Sequence, residues 1–149
     1  MDKKSEKKMK VQMEGTLESQ SLARAVAAAY LAEMDPTMDE LTEVKTAVSE
    51  AVSNVALHAY PGDMSGFVTL EFSRIAPDTV MVKVADRGVG IENIAQAMEP
   101  LFTTDTGELC SGMGFTVMES FMDRIKVDSR PGEGTIVTMI KKLDTYCGF

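Results

Sequence analysis

Thr37-Met38-Asp39-Glu40, followed by Leu41, Val44, Val48, Val52 and Val55, constrains this chain more than any other stretch. A threonine whose hydroxyl accepts from the third helical amide, with a glutamate at that third position reaching back, is a helix start. The apolar residues recur at the spacing of one helix face. A helix from Thr37 to about His58 is predicted, buried along one stripe, with its flanking faces open to polar residues. Glu50, Asn54 and His58 fall at i, i+4 and i+8, which stacks them on one edge of that helix.

The elements around it follow from period and punctuation. Residues 1–8 form a charged basic tail, and Met9 to Gly15 alternates with period two, as a half-buried strand does. Ser19 to Glu33 is alanine-rich and carries Leu22, Ala25, Val26, Ala29, Tyr30 and Ala32 at helical spacing. That helix stops at Asp35-Pro36, because a residue before proline is pushed out of the α region. After the Pro61-Gly62-Asp63 turn, Phe67 to Phe72 and Thr79 to Ala85 read as strands, the second with Val80, Val82 and Val84 inward. A short helix near Asn93 to Met98 leads into an aperiodic run, Glu99 to Ser111, read as a mobile loop. A third long helix opens at Gly112-Met113-Gly114 and runs to about Met122. Ile125-Val127 and Ile136-Met139 make a hairpin around Pro131-Gly132-Glu133-Gly134. This order suits one sheet with helices packed on one face, in a single domain over residues 9–143 with a short tail at 144–149.

Composition narrows the function classes. The 149 residues carry a net charge of -8, and five of the fifteen cations (Lys3, Lys4, Lys7, Lys8 and Lys10) lie in the first ten positions. The body is therefore more acidic than the total, which argues against nucleic acid as the main partner. With 44% hydrophobic and 26% charged residues the chain reads as an ordinary globular protein. It has no long apolar run for a membrane and no secretory leader, so the cytoplasm is the expected compartment. Cys110, Cys147 and the single His58 make neither a disulfide framework nor a zinc site. The twelve methionines are expected mostly in the core, with some available for an adaptable interface.

Three features carry chemistry. Asp86 ends a strand and is followed by Gly88 and Gly90, which places an acceptor beside a tight turn; an acceptor there selects the exocyclic amine of adenine over the oxygen of guanine. Ser111-Gly112-Met113-Gly114 precedes a helix, where bare amides and the helix dipole favour phosphate oxygens. It is neither a P-loop nor a Rossmann fingerprint. Asn54 offers a hard oxygen suited to Mg²⁺, and Glu50 one turn earlier is a candidate base. Taken singly, each has an ordinary structural explanation: a strand-to-helix turn, a helix cap, a solvated helix edge.

Their order along the chain resembles the GHKL ATP-binding superfamily, which includes gyrase, Hsp90, histidine-kinase catalytic domains and MutL. Within it, Asp35 to Glu43, Val48-Ser49-Glu50-Ala51-Val52, Pro100-Leu101-Phe102-Thr103-Thr104 and Ser111-Gly112-Met113-Gly114-Phe115-Thr116 are similar to the sporulation anti-sigma F factor family of serine kinases. The resemblance spans about Ser21 to Leu143. It implies an α+β fold, a two-layer α/β sandwich of the GHKL (Bergerat) type with a mixed, mostly antiparallel sheet and helices on one face. It also implies a cytoplasmic homodimer that sequesters a sigma factor and phosphorylates a serine of an anti-anti-sigma partner with Mg-ATP, without touching nucleic acid or membrane. Carried over by position, Glu50 matches the general base and Asn54 the Mg²⁺ ligand. Asp86 matches the adenine-reading carboxylate, supported by Gly88, Gly90 and Thr135. Residues 99–111 match an ATP lid, with Thr103 and Thr104 in the nucleotide set. Ser111, Gly112, Met113, Gly114 and Phe115 match the phosphate turn, and Arg24 matches a partner-surface arginine.

One departure stands out. The family usually has an arginine immediately before Ser-Gly-Met-Gly, and this chain has Cys110 there, with Asp105 adding negative charge nearby. A fixed charge and a bidentate fork are lost. The alternative is therefore a nucleotide-gated sigma-binding module with little phosphotransfer. A histidine-kinase catalytic fragment ranks below both, since no phosphoacceptor helix accompanies it.

Overall fold

The expected capping box is present: the Thr37 hydroxyl accepts from Glu40 N at 3.0 Å, and Glu40 Oε1 accepts from Thr37 N at 2.9 Å. The computed structural model describes residues 7–92 and 114–144. These form β1 (Lys8–Glu14), α1 (Ser19–Leu31), α2 (Met38–Asn54), β2 (Phe67–Ala76), β3 (Thr79–Asp86), α3 (Gly114–Phe121), β4 (Arg124–Arg130) and β5 (Gly134–Lys142). The short helix expected near 93–98 and the loop at 99–111 lie outside the described residues.

The five strands form one sheet in the order β1-β2-β3-β5-β4. Each neighbouring pair is antiparallel, where a mixed sheet was expected. Hairpins link β2 to β3 and β4 to β5, and the chain returns from β3 to the far side of β5 before entering β4. The strands that run parallel are thereby never adjacent. The three helices cover one face, the two-layer α+β arrangement that the resemblance implied.

The core lies between the layers. Val44, Val48 and Val52 of α2 meet Val80, Val82 and Val84 of β3, all fully or almost fully buried. Each such side chain contributes about 1.5–3 kcal/mol by leaving water. Met13, Met34, Met118, Met122 and Met139 are also buried, whereas Met38 and Met64 are exposed.

The inward face of α1 differs from the expected one. Ala23, Ala27, Tyr30 and Leu31 are buried, while Leu22 is 54% exposed and Ala25 and Ala29 also face outward. An alanine-rich helix carries little directional apolar signal, so its rotation is set by contact with α2. That contact is partly polar, with Gln20 Nε2 donating to Ser49 O at 3.0 Å and to Ser49 Oγ at 3.1 Å. After α1, a 3₁₀ turn reaches Met34, and Asp35 adopts a left-handed conformation (φ 55°) just before Pro36, which ends the helix as expected.

At its other end α2 stops at Asn54 and continues as a single π turn, Val55–Ala59. The change of period falls between Asn54 and His58, so His58 sits on the π turn and not on the α-helical run that carries Glu50 and Asn54. Among the described residues, no helix is long and apolar enough to cross a membrane.

Candidate functional site

Three segments converge at the C-terminal end of α2. The first is the end of β3, where the half-buried Asp86 carboxylate accepts from Gly88 N at 2.8 Å. Gly88 lies against the π turn: a Cβ there would stand 2.1 Å from Ala59 O, so no side chain fits. The neighbouring Val89 N donates to Ala59 O at 2.9 Å. Gly90 has φ +79° and would place a Cβ 2.2 Å from Arg130 O. Both glycines that the sequence singled out are thus required by close backbone approach, one to the helix layer and one to the β4–β5 turn.

The second segment is the start of α3. A Cβ on Gly114 would meet both terminal atoms of the Asn54 carboxamide at 3.0 Å, so the first turn of α3 rests on that side chain. The third is α2 itself, which presents Glu50 one turn before Asn54. Burial raises the Glu50 pKa, which makes its carboxylate a stronger base. Burial also raises the Asp86 pKa, against backbone hydrogen bonds from Gly88 and Thr135 that lower it.

Thr135, which the resemblance placed with Asp86, is its neighbour in the sheet. It pairs with Asp86 in the β3–β5 ladder and is 8% exposed. Phe115 is half-buried and packs against the core. Arg24 stands apart, on α1, where Nη1 donates to Ser49 Oγ at 2.8 Å and Nη2 to Ser21 Oγ at 3.4 Å. It therefore touches the residue adjoining Glu50. Thr103, Thr104, Asp105, Cys110, Ser111, Gly112 and Met113 lie outside the described residues.

This arrangement offers a half-buried acceptor at a strand end, an amide oxygen against the first described turn of α3 and a carboxyl on one edge of α2, a set compatible with a nucleotide. Residues 13–141 match the model of the histidine kinase-like ATPase domain. The chain belongs to that family. It is 50% identical over 93 residues to an anti-sigma F factor of Lysinibacillus sphaericus, covering 62% of this chain and 63% of that one. It is 47% identical over 92 residues to an anti-sigma F factor of Clostridium beijerinckii, covering 62% and 64%. The matched stretch spans a little under two thirds of the length of these curated relatives.

Solved structures share the fold. The RsbU and RsbW domains of a Mycobacterium tuberculosis protein align with a TM-score of 0.65 at 21% identity, covering 92% of this chain and 32% of that one. A mycobacterial sensor histidine kinase aligns at 0.55 and 21% identity, covering 69% and 72%.

Two residues of this ATPase domain belong to the site without having been singled out in the sequence. The Tyr60 hydroxyl donates to Phe67 O at 2.7 Å and accepts from Arg87 N at 3.0 Å, which ties the turn after Asp86 to the start of β2. Its ring fills the space beside Gly66, where a Cβ would lie 2.3 Å from a ring carbon. Ser129 accepts from Ile91 N at 2.7 Å and lies 2.7 Å from Thr135 Oγ1. A signal for Ser129 exists: it continues the Ile125-Val127 alternation, which puts it on the helix-facing side of the sheet.

Proposed function

We propose that this ATPase domain is an anti-sigma factor that binds a sigma factor of the sigma F type and phosphorylates a serine of an anti-anti-sigma partner with Mg-ATP. The observation that carries it is the contact of Gly114 with the Asn54 carboxamide, with Glu50 one turn back on the same helix. Together they would serve one terminal phosphate as base, hard oxygen and helix N-terminus. The 45–50% identity to proteins named anti-sigma F factor supports the partner class.

Each residue has a task. Asp86 accepts from the adenine 6-amino group, and the glycine turns let backbone approach the base. Glu50 removes the proton of the partner's serine hydroxyl as its oxygen bonds to the γ-phosphorus and the bond to ADP breaks. Asn54 fits magnesium through its amide oxygen. Among the described residues no group of three or more His, Cys, Asp or Glu is gathered to hold a metal, so phosphate oxygens and water would complete the shell, as magnesium favours. Bound there, magnesium neutralises phosphate charge. Arg24, held by Ser49, would present its guanidinium to a partner protein, and the working unit would be a cytoplasmic homodimer.

Incubation with radiolabelled Mg-ATP and a cognate anti-anti-sigma partner tests the proposal. Label on a partner serine is the expected result. A partner that binds but stays unlabelled overturns the kinase activity.

A second reading, a nucleotide-gated sigma-binding module, is favoured by Cys110. Arginines at the terminal phosphate in other phosphoryl-transfer systems are worth about 10³–10⁵ in rate. A large gain in transfer by Cys110→Arg supports this second reading. An unchanged, robust rate argues against it.

A further inference from the structure

Asp86, Thr135 and Ser129 form one row across three strands. Asp86 pairs with Thr135 between β3 and β5, and Ser129 pairs with Thr135 between β4 and β5. All three lie on the side of the sheet that faces the helices. Ser129 Oγ has three neighbours: Ile91 N at 2.7 Å, Thr135 Oγ1 at 2.7 Å and Gly134 O at 3.0 Å.

A serine hydroxyl holds one proton and two lone pairs. Ile91 N–H takes one lone pair. The Ser129 proton then has two acceptors in reach, and the choice decides what Thr135 shows the pocket. If the proton goes to Gly134 O, Thr135 donates back to Ser129 and offers the pocket only lone pairs. If it goes to Thr135, the nearer oxygen, the Thr135 proton is free to turn away from Ser129, on the face that Thr135 shares with Asp86. The chain Ile91 N–H to Ser129 O–H to Thr135 O–H then runs in one direction, and each bond polarises the next.

We propose that Ser129 is a positioning residue that orients the Thr135 hydroxyl as a donor, so that the pocket presents an acceptor, Asp86, beside a donor, Thr135. This rests on the nucleotide-binding function proposed above. An acceptor beside a donor matches a purine with a 6-amino group next to an unprotonated N1, met directly or through one water. It mismatches a 6-oxo purine on both counts, because O6 meets the Asp86 carboxylate and N1–H meets the Thr135 donor. Asp86 alone reads the 6 position, and the Ser129–Thr135 pair extends the reading to N1.

The test compares three nucleotides on the wild type and on Ser129→Ala: ATP, inosine triphosphate (6-oxo, N1–H) and purine riboside triphosphate (no 6 substituent, N1 an acceptor). The wild type is expected to bind ATP tightest. Ser129→Ala is expected to weaken ATP and purine riboside triphosphate together, by up to about tenfold, the scale of one hydrogen bond. Inosine triphosphate should hold or tighten, because the freed Thr135 hydroxyl can turn and accept from N1–H. Ser129→Thr, which keeps the hydroxyl, should restore the wild-type order.

Equal weakening of all three nucleotides means Ser129 only braces the turn, and overturns the proposal. Should Ser129→Ala fail to fold, Thr135→Val removes the same donor and must give the same selective loss. If the wild type binds none of the three, nucleotide binding itself fails first, and the two failures are thereby distinguished.

Discussion

The two ends of the candidate site are built differently. At the base end, residues 86–91 are fixed by hydrogen bonds to four residues outside that stretch. Arg87 N reaches Tyr60, Val89 N reaches Ala59, Val89 O accepts from Gly132 and Ile91 N reaches Ser129. Two of these bonds run backbone to backbone and two end on side-chain hydroxyls, and two glycines allow the close approach they need. At the phosphate end, Glu50 and Asn54 are placed by the phase of one helix, and α3 meets them through the bare Cα of Gly114. The segment at Asp86 is therefore held by the fold, whereas the end at Glu50 and Asn54 depends on a few side chains. Affinity and phosphotransfer should separate under mutation.

Glu50→Gln pushes that separation furthest. It removes a base and leaves shape and nucleotide contacts in place, so transfer to the partner serine should fall by about 10²–10⁴ with ATP affinity little changed. Single-turnover transfer beside equilibrium nucleotide binding measures both. Parallel losses would show that the two ends are one unit. Asp86→Asn attacks the opposite end with a smaller effect. It exchanges the acceptor proposed for the 6-amino group for a group that can donate, and should weaken ATP by about 1–3 kcal/mol. Titration calorimetry against ATP decides it, and unchanged affinity with unchanged adenine preference would remove Asp86 from the pocket.

Gln20→Ala probes the joint between α1 and α2, and its effect should be smaller again. Gln20 and Arg24 both donate to Ser49, next to Glu50, so losing Gln20 should cost about 0.5–1.5 kcal/mol of stability. Chemical denaturation reads it. Transfer should drop less than for Glu50→Gln, because Arg24 still holds Ser49 Oγ.

Legibility in the sequence follows the same division. The capping box, the α2 stripe and the alternating valines of β3 could be read because local periodicity and burial coincide there. Glu50 and Asn54 were legible because both lie on one α-helical run, and Asp86 because glycine punctuation follows it. The outward turn of Leu22 was not legible, since alanines face either way at little cost and only the Gln20 and Arg24 bonds to Ser49 reveal the rotation. The π turn that carries His58 was not legible, because such a turn leaves no composition signal. Tyr60 and Ser129 act through contacts over 27 and 38 residues, a distance at which period carries no information.

Proton linkage gives the smallest effect and compares the two ends directly. Burial raises both Asp86 and Glu50 above their ordinary values of 3.8 and 4.5. The folded chain therefore keeps these protons in a window where the unfolded chain has released them. Stability from this source is present below the ordinary values and is lost as pH rises through the folded ones. The nucleotide-free protein should accordingly lose a little thermal stability as pH climbs just above the ordinary carboxylate range. Glu50→Gln and Asp86→Asn should each flatten that slope. Phosphotransfer should run the other way, rising over the same window as Glu50 ionises, because only the carboxylate can take the serine proton. Opposite slopes for melting temperature and transfer rate, both altered by Glu50→Gln, would tie the half-buried Glu50 carboxyl to the chemistry. A transfer rate indifferent to pH through this window would detach it.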